Sequence, residues 1–174
     1  MGNNLPINGT ETGRILHCQD CSPVCHYRCC DQSKPGDSDF GLDNAVLLYP
    51  GEWELTRDET RRHILITVED FNAGKIGRCD RENFDQSQCD PTRNYKPLDC
   101  MTYPLTPTMH EGKLAFLIDP RCPLVQGNLQ AHLERVRRRW EQVLASDTRV
   151  ATWISSLKIK GYVPYIPSSE DGNS

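Results

Sequence analysis

The sequence predicts an α+β fold, on three observations. Short apolar runs at 45–49, 62–69 and 113–119 are closed off by proline, glycine or aspartate and read as strands. From Pro123 onward the apolar spacing changes to threes and fours, the period of a helix. Nine cysteines, five of them between Cys18 and Cys30, crowd a chain of 174 residues. That length suits one ordinary domain, and 37% hydrophobic residues give it a thin core.

Taken in order, residues 1–17 are polar, carry Gly-Thr-Glu-Thr-Gly, and read as a flexible arm. Ser22-Pro23 suits a helix start, with a capping hydroxyl followed by proline at the first helical position. Residues 31–43, rich in Gly, Pro, Ser and Asp, read as loop. Ala45-Val46-Leu47-Leu48 is a strand stopped by Pro50-Gly51, and residues 52–59 offer one or two helical turns with Trp53 and Leu55 facing inward. Ile64, Leu65, Ile66 and Val68 mark a main strand over 62–69. From Asn72 to Asn94 the chain is polar, with too little apolar surface to order itself unless Cys79 and Cys89 tie it down.

Pro97 and Pro104 bracket a rigid turn around Cys100. His110-Glu111-Gly112 suits a hairpin turn leading into a strand at 113–119, and Asp119-Pro120 ends that strand and delivers Cys122 to the sheet edge. Val125, Leu129, Leu133, Val136, Trp140 and Val143 then trace one face of a long helix. Its opposite face carries Arg135, Arg138 and Arg139, either a solvated surface or a docking face for an acidic partner. Asp147 is placed to cap a shorter helix through Val150, Trp153, Ile154 and Leu157, which completes a C-terminal helical hairpin. Residues 161–174 read as an extended or disordered tail.

Charge and composition exclude several functions. A net charge of -4 is the wrong sign for a general nucleic-acid binder. No apolar run approaches the length of a membrane span, and the first residues lack the basic start, apolar stretch and cleavage site of a secretory signal. The expectation is a cytoplasmic protein without membrane or nucleic-acid partners. In a reducing compartment dense cysteines bind metal rather than form disulfides. Residues 18–160 therefore read as one small metal-stabilised domain.

Within the cluster, Cys25 and Cys29 sit one helical turn apart and can converge on one ion, while Cys30 points about 100° away. His17 and His26 flank cluster cysteines and could ligate or donate to sulfur; Arg28 and Arg78 would lower neighbouring thiol pKa values. His63, His110 and His132 are isolated and read as surface or packing residues. Asp20, Asp31, Glu52 and Asp99 could act as general bases, but no nucleophile pairs with any of them in the sequence; Asp99 beside Cys100 reads as a turn residue or a support for that cysteine.

The cluster ending in the vicinal pair Cys29-Cys30, the stretch Lys96-Pro97-Leu98-Asp99-Cys100-Met101-Thr102-Tyr103-Pro104, and Leu48-Tyr49-Pro50-Gly51-Glu52 together resemble the YkgJ-like cysteine-cluster (CxxCxxCC) family of zinc- or iron-chelating proteins, over roughly residues 18–123. The resemblance implies ligands at Cys21, Cys25, Cys29 and Cys30, then Cys79 or Cys89, Cys100 and Cys122. The cluster departs from the family in having three residues before Cys25 and three before Cys29, and in the additional Cys18. A similar signature accompanies an iron–sulfur cluster in flagellin lysine methylases. This chain lacks the glycine-rich fingerprint that would hold a methyl-donor nucleotide, so a methylase is not expected.

Two closed zinc sites would use eight of the nine cysteines. A 4Fe–4S cluster needs four thiolates, several from one short segment and the last from far away. Cys18, Cys21, Cys25 and Cys29 with distant partners favour the cluster, because the downstream cysteines are separated by nine, ten and twenty-one residues and form no second short pair. The expected function is metal binding with an electron-transfer, redox-sensing or enzyme-accessory role; the alternative is a structural zinc adaptor with a protein partner. A metal with an open coordination position would make the chain an enzyme. No substrate is legible.

Overall fold

The computed structural model describes residues 46–58, 61, 68–77, 95–122, 130–159 and 161–166. Within them the chain is α+β, with two small antiparallel sheets and four helices. The elements run β1 (Val46–Leu48), α1 (Glu52–Leu55), β2 (Val68–Phe71), β3 (Gly74–Gly77), α2 (Leu98–Thr102), β4 (Leu105–His110), β5 (Lys113–Ile118), α3 (Gln130–Ser146), α4 (Arg149–Ser156) and β6 (Val163–Pro164).

The first sheet has the order β1-β3-β2. Its central strand corrects the expectation that the chain from Asn72 onward lacks order of its own. Gly-Lys-Ile-Gly carries no apolar alternation, yet its glycine is what the packing requires. A Cβ at Gly74 would collide with the Leu48 carbonyl oxygen and lie 2.5 Å from Trp153 Nε1. A tryptophan from α4 thus sits directly on strand backbone, a close approach that only glycine permits. The β2–β3 turn places Asn72 at φ 53, a left-handed conformation that asparagine tolerates, and its side-chain amide donates to Ser156 Oγ at 2.6 Å. Of the strand expected over 62–69, Val68 and Glu69 fall in β2; residues 62–67 lie outside the described residues.

The second sheet, β4-β5-β6, is built on the hairpin expected at His110–Gly112. Glu111 and Gly112 both take positive φ, 49 and 74, the pairing that matches strand twist in a two-residue turn. Pro107 is tolerated in β4 because that strand lies at the sheet edge. Residues expected as an extended tail include β6, which pairs Pro164 with Leu117 and Val163 with Ile118. The Tyr165 N–H adds a bond to Phe116 O at 2.9 Å.

The expected helical face is seen in α3, where Leu133, Val136, Trp140 and Val143 are buried; Val125 and Leu129 lie outside the described residues. In α4, Val150, Trp153 and Ile154 turn inward. Asp147 serves the helix from one position further out than predicted, its carboxylate accepting the Arg149 N–H at 2.9 Å while Thr148 occupies the cap. Both helices, β1, α2, β4 and β5 meet in one core, where Tyr49 meets Trp140 edge to face at 6.1 Å and 72°. No described helix is long and apolar enough to cross a membrane.

Candidate functional site

The turn after β1 was expected to send Trp53 and Leu55 inward. Instead Leu55 is 41% exposed, Trp53 is half-buried, and Glu52 is the residue at 0% exposure. Gly51, at φ 87, starts α1 so that the first side chain of the helix points into the protein. There the Glu52 carboxyl meets three donors. Oε2 accepts the Tyr49 N–H at 3.1 Å; Oε1 accepts the Leu98 N–H at 2.7 Å and the Tyr95 hydroxyl at 2.8 Å. Burial drives its pKa up to about 8 against the pull of these hydrogen bonds, and the nearby Asp99 charge adds to the rise. Burial and the Glu52 charge push the Tyr49 hydroxyl up to about 12, and push Tyr95 above its ordinary value as well.

Asp99 completes a reciprocal clasp. Its Oδ2 accepts the Leu47 N–H of β1 at 3.0 Å, while Glu52, just beyond β1, takes the Leu98 N–H at the start of α2. Two carboxyls thus tie strand to helix, one in each direction. Burial lifts Asp99 to about 6, again opposed by its hydrogen bond. The rigid turn expected between Pro97 and Pro104 is a one-turn helix. Met101 N–H bonds Pro97 O at 3.1 Å and Tyr103 N–H bonds Asp99 O at 3.1 Å, and Tyr103, extended ahead of Pro104, ends the turn. Cys100 sits in its middle, half-buried, packed against Val46 and Leu48, as is Trp53. Arg61 stacks on the Trp53 ring at 5.0 Å.

Cys122, the second described cysteine, is 3% exposed and follows β5 as expected. Its N–H donates to Asp119 O at 3.2 Å. Asp119 is the anchor of that corner, with Oδ1 accepting Arg121 Nε at 2.8 Å and Oδ2 accepting both Arg121 at 3.1 Å and the Tyr103 hydroxyl at 3.0 Å. Burial alone would raise Asp119, but the Arg121 hydrogen bonds outweigh it and hold the carboxyl below its ordinary range.

A third polar feature lies between α2 and α3, where Leu98, Met101, Thr102, His132, Arg135, Val136 and Arg139 line a crevice. His132, expected at the surface or in packing, is buried at 2% exposure, with Nε2 lying 3.2 Å from Thr102 O and 3.1 Å from Tyr103 O. The basic face divides: Arg138 is exposed, whereas Arg135 and Arg139 are half-buried in the crevice wall.

Of the sequence-predicted ligands, Cys100 and Cys122 are placed; Cys18, Cys21, Cys25, Cys29, Cys30, Cys79 and Cys89 lie outside the described residues, as do His17, Asp20, His26, Arg28, Asp31, His63 and Arg78. Among the described residues no group of three His, Cys, Asp or Glu side chains is arranged to hold a metal ion. Glu52 and Asp99, two unpaired candidates in the sequence, come together at one junction, and Glu52 spends its oxygens on the fold. The signal for it was the glycine ahead of a helix whose first residue is acidic; its partners Tyr95 and Leu98 stand 43 and 46 positions away and carried none. Comparison of the chain with models of known protein families, with curated proteins and with solved structures finds no match.

Proposed function

We propose that the chain is a cysteine-ligated metal-binding protein that holds an iron–sulfur cluster, of the 4Fe–4S type, in an electron-transfer, redox-sensing or enzyme-accessory role. The observation that carries this reading is the clasp at Cys100. The two described stretches on which the family resemblance rests, Leu48–Glu52 and Lys96–Pro104, are joined by Glu52 on the Leu98 N–H, and Asp99 adds a bond to Leu47 just before the first. A segment used only as a surface turn has no need of two buried carboxyls; one that must present a thiol at a fixed point does. At the other thiol, the Asp119 backbone carbonyl accepts the Cys122 N–H while its carboxylate is held by Arg121 and Tyr103.

Both placed thiols are soft donors suited to iron or zinc, which is the fit the described residues offer. Cys18, Cys21, Cys25, Cys29, Cys30, Cys79 and Cys89 would supply the remaining ligands. A bound cluster would supply one-electron chemistry. The protein's own part is to hold thiolates in place and exclude water from behind them. In this reading the domain is metal-stabilised, α3 and α4 form its C-terminal helical hairpin, and the protein works in the cytoplasm, where its thiols stay reduced.

The second reading is a structural zinc adaptor, favoured by the arginine-lined crevice as a place for a protein partner. Metal and acid-labile sulfide analysis of protein purified without oxygen, with a visible spectrum of the same sample, separates the two. Iron with matching sulfide and a bleachable brown colour is the expected result. Colourless protein holding zinc would transfer the assignment to the adaptor, and metal-free protein with fully titratable thiols would sink both.

A further inference from the structure

Of the four side chains of α1, only that of Glu52 is buried. Leu55 and Glu54 are exposed, and Trp53 rests half-buried on Val46 and Leu48. One carboxyl and one partial ring contact therefore fasten this turn of helix to β1 and α2. The contacts of Arg61 are with α1 itself: it stacks on Trp53, its Nε donates to Thr56 Oγ1 at 3.0 Å, and its terminal nitrogen donates to Trp53 O at 3.2 Å. They can travel with the helix. At the near end stands Gly51, at φ 87, where a Cβ would meet nothing within 4 Å, so its backbone can turn without striking a neighbour. The other side of the fastening is fixed, because Leu98, whose N–H Glu52 accepts, is buried in the core.

We propose that α1 is a protonation-operated latch over the start of α2: with Glu52 neutral it is shut, and on ionisation of Glu52 it turns outward about Gly51 and admits water to the segment that leads to Cys100. The two positions differ in what surrounds the carboxyl. Shut, it is held at about 8, because burial and the Asp99 charge outweigh the Tyr49 N–H, Leu98 N–H and Tyr95 hydroxyl. Turned out into water, it returns to its ordinary 4.5. Opening releases a proton between these values, so each pH unit gained there favours the open form about tenfold. The titratable groups that face the carboxyl are Tyr49 and Tyr95, whose hydroxyls bond each other, and Asp99; Lys96, also buried, follows Tyr95 in the chain. Tyr49 titrates at about 12, Tyr95 is raised too, and Asp99 titrates at about 6. The interval just above neutrality on either side of about pH 7 thus belongs to Glu52. The latch is built from α1, β1 and α2 alone and works with either metal.

The test is hydrogen exchange read by mass spectrometry on the full chain with its metal, from about pH 6.5 to about pH 7.5, with each rate divided by the intrinsic rate at that pH. Protection of the segments that contain Tyr49 and Leu98 should fall about tenfold over this unit, while protection of α3 stays within about twofold. Glu52→Gln should abolish the fall. Trp53→Ala weakens only the apolar fastening, so it should lower protection of both segments by one factor at every pH and leave the fall in place. Retention of the fall in Glu52→Gln would overturn the proposal, as would its loss in Trp53→Ala. Flat protection in the unsubstituted protein would do so as well, and a parallel fall in α3 would make the opening that of the whole fold. Should Glu52→Gln fail to fold, the contrast with α3 in the unsubstituted and Trp53→Ala proteins decides by itself.

Discussion

The β1–α2 junction and the helix-covered core are held together by opposite means. At the junction, two carboxyls whose pKa values burial has raised satisfy backbone N–H groups across a strand and a one-turn helix. In the core, Trp140, Trp153, Leu105, Phe116, Val150 and Ile154 meet with no charge among them. Apolar packing is indifferent to pH and tolerant in direction; the carboxyl clasp is directional and depends on protonation. The protein uses the tolerant device to hold its bulk and the directional one at the segment that carries Cys100.

The largest effect should come from the apolar side. Trp153 is 1% exposed and lies on Gly74 in the centre of the first sheet. Trp153→Ala should cost about 3–5 kcal/mol in urea unfolding, by the same amount at pH 5 and pH 8. A cost that changed markedly across that interval would break the comparison, since it would mean the core and the junction share their ionisation.

A smaller effect with the opposite signature belongs to Glu52. Its folded pKa of about 8 lies above the ordinary value of 4.5, so between these values the folded protein binds more protons than the unfolded chain. The stabilisation is complete below about 4.5 and is lost as pH rises through about 8. Asp99 adds a similar loss between 3.8 and about 6. Stability should therefore fall from pH 5 to pH 8. Glu52→Gln should flatten most of that slope. It should also cost about 1–3 kcal/mol at pH 5, because an amide presents NH2 on one side and Tyr49 N–H and Leu98 N–H both need an acceptor. A variant with an unaltered slope would move the pH dependence elsewhere.

What the sequence made legible follows the same division. The fold class, α3, α4, β1, β5 and the turn at Glu111–Gly112 were readable, because periodicity and turn chemistry are local. β3 was not readable, since the reason for Gly74 is a tryptophan 79 residues later whose contact no window contains. Leu55 was taken for the inward residue because hydrophobicity outranks Glu in any pattern, until the acceptor demand of Leu98 and Tyr95 is known. Cys100 was expected in the turn between Pro97 and Pro104 and Cys122 just after a strand, and both stand there; Asp99 adjoins the first, and Asp119 precedes the second by one turn. The long-range half of each arrangement is tertiary and leaves no periodic trace.

The smallest effect addresses which way the proton points inside the junction. The Tyr95 hydroxyl lies 2.8 Å from Glu52 Oε1, and donating to the carboxylate it favours the charged form. Tyr95→Phe removes one donor and should cost about 1 kcal/mol at pH 5. With less support for its charge, Glu52 should titrate higher, and the alkaline loss of stability should move to higher pH. If the neutral carboxyl instead donates to Tyr95, the same change removes support from the neutral form and the transition moves to lower pH. Stability measured from pH 5 to pH 9 for the two proteins separates these directions. A downward move would make Tyr95 the acceptor at the junction, and Glu52, not Tyr95, the source of the proton that keeps the clasp closed.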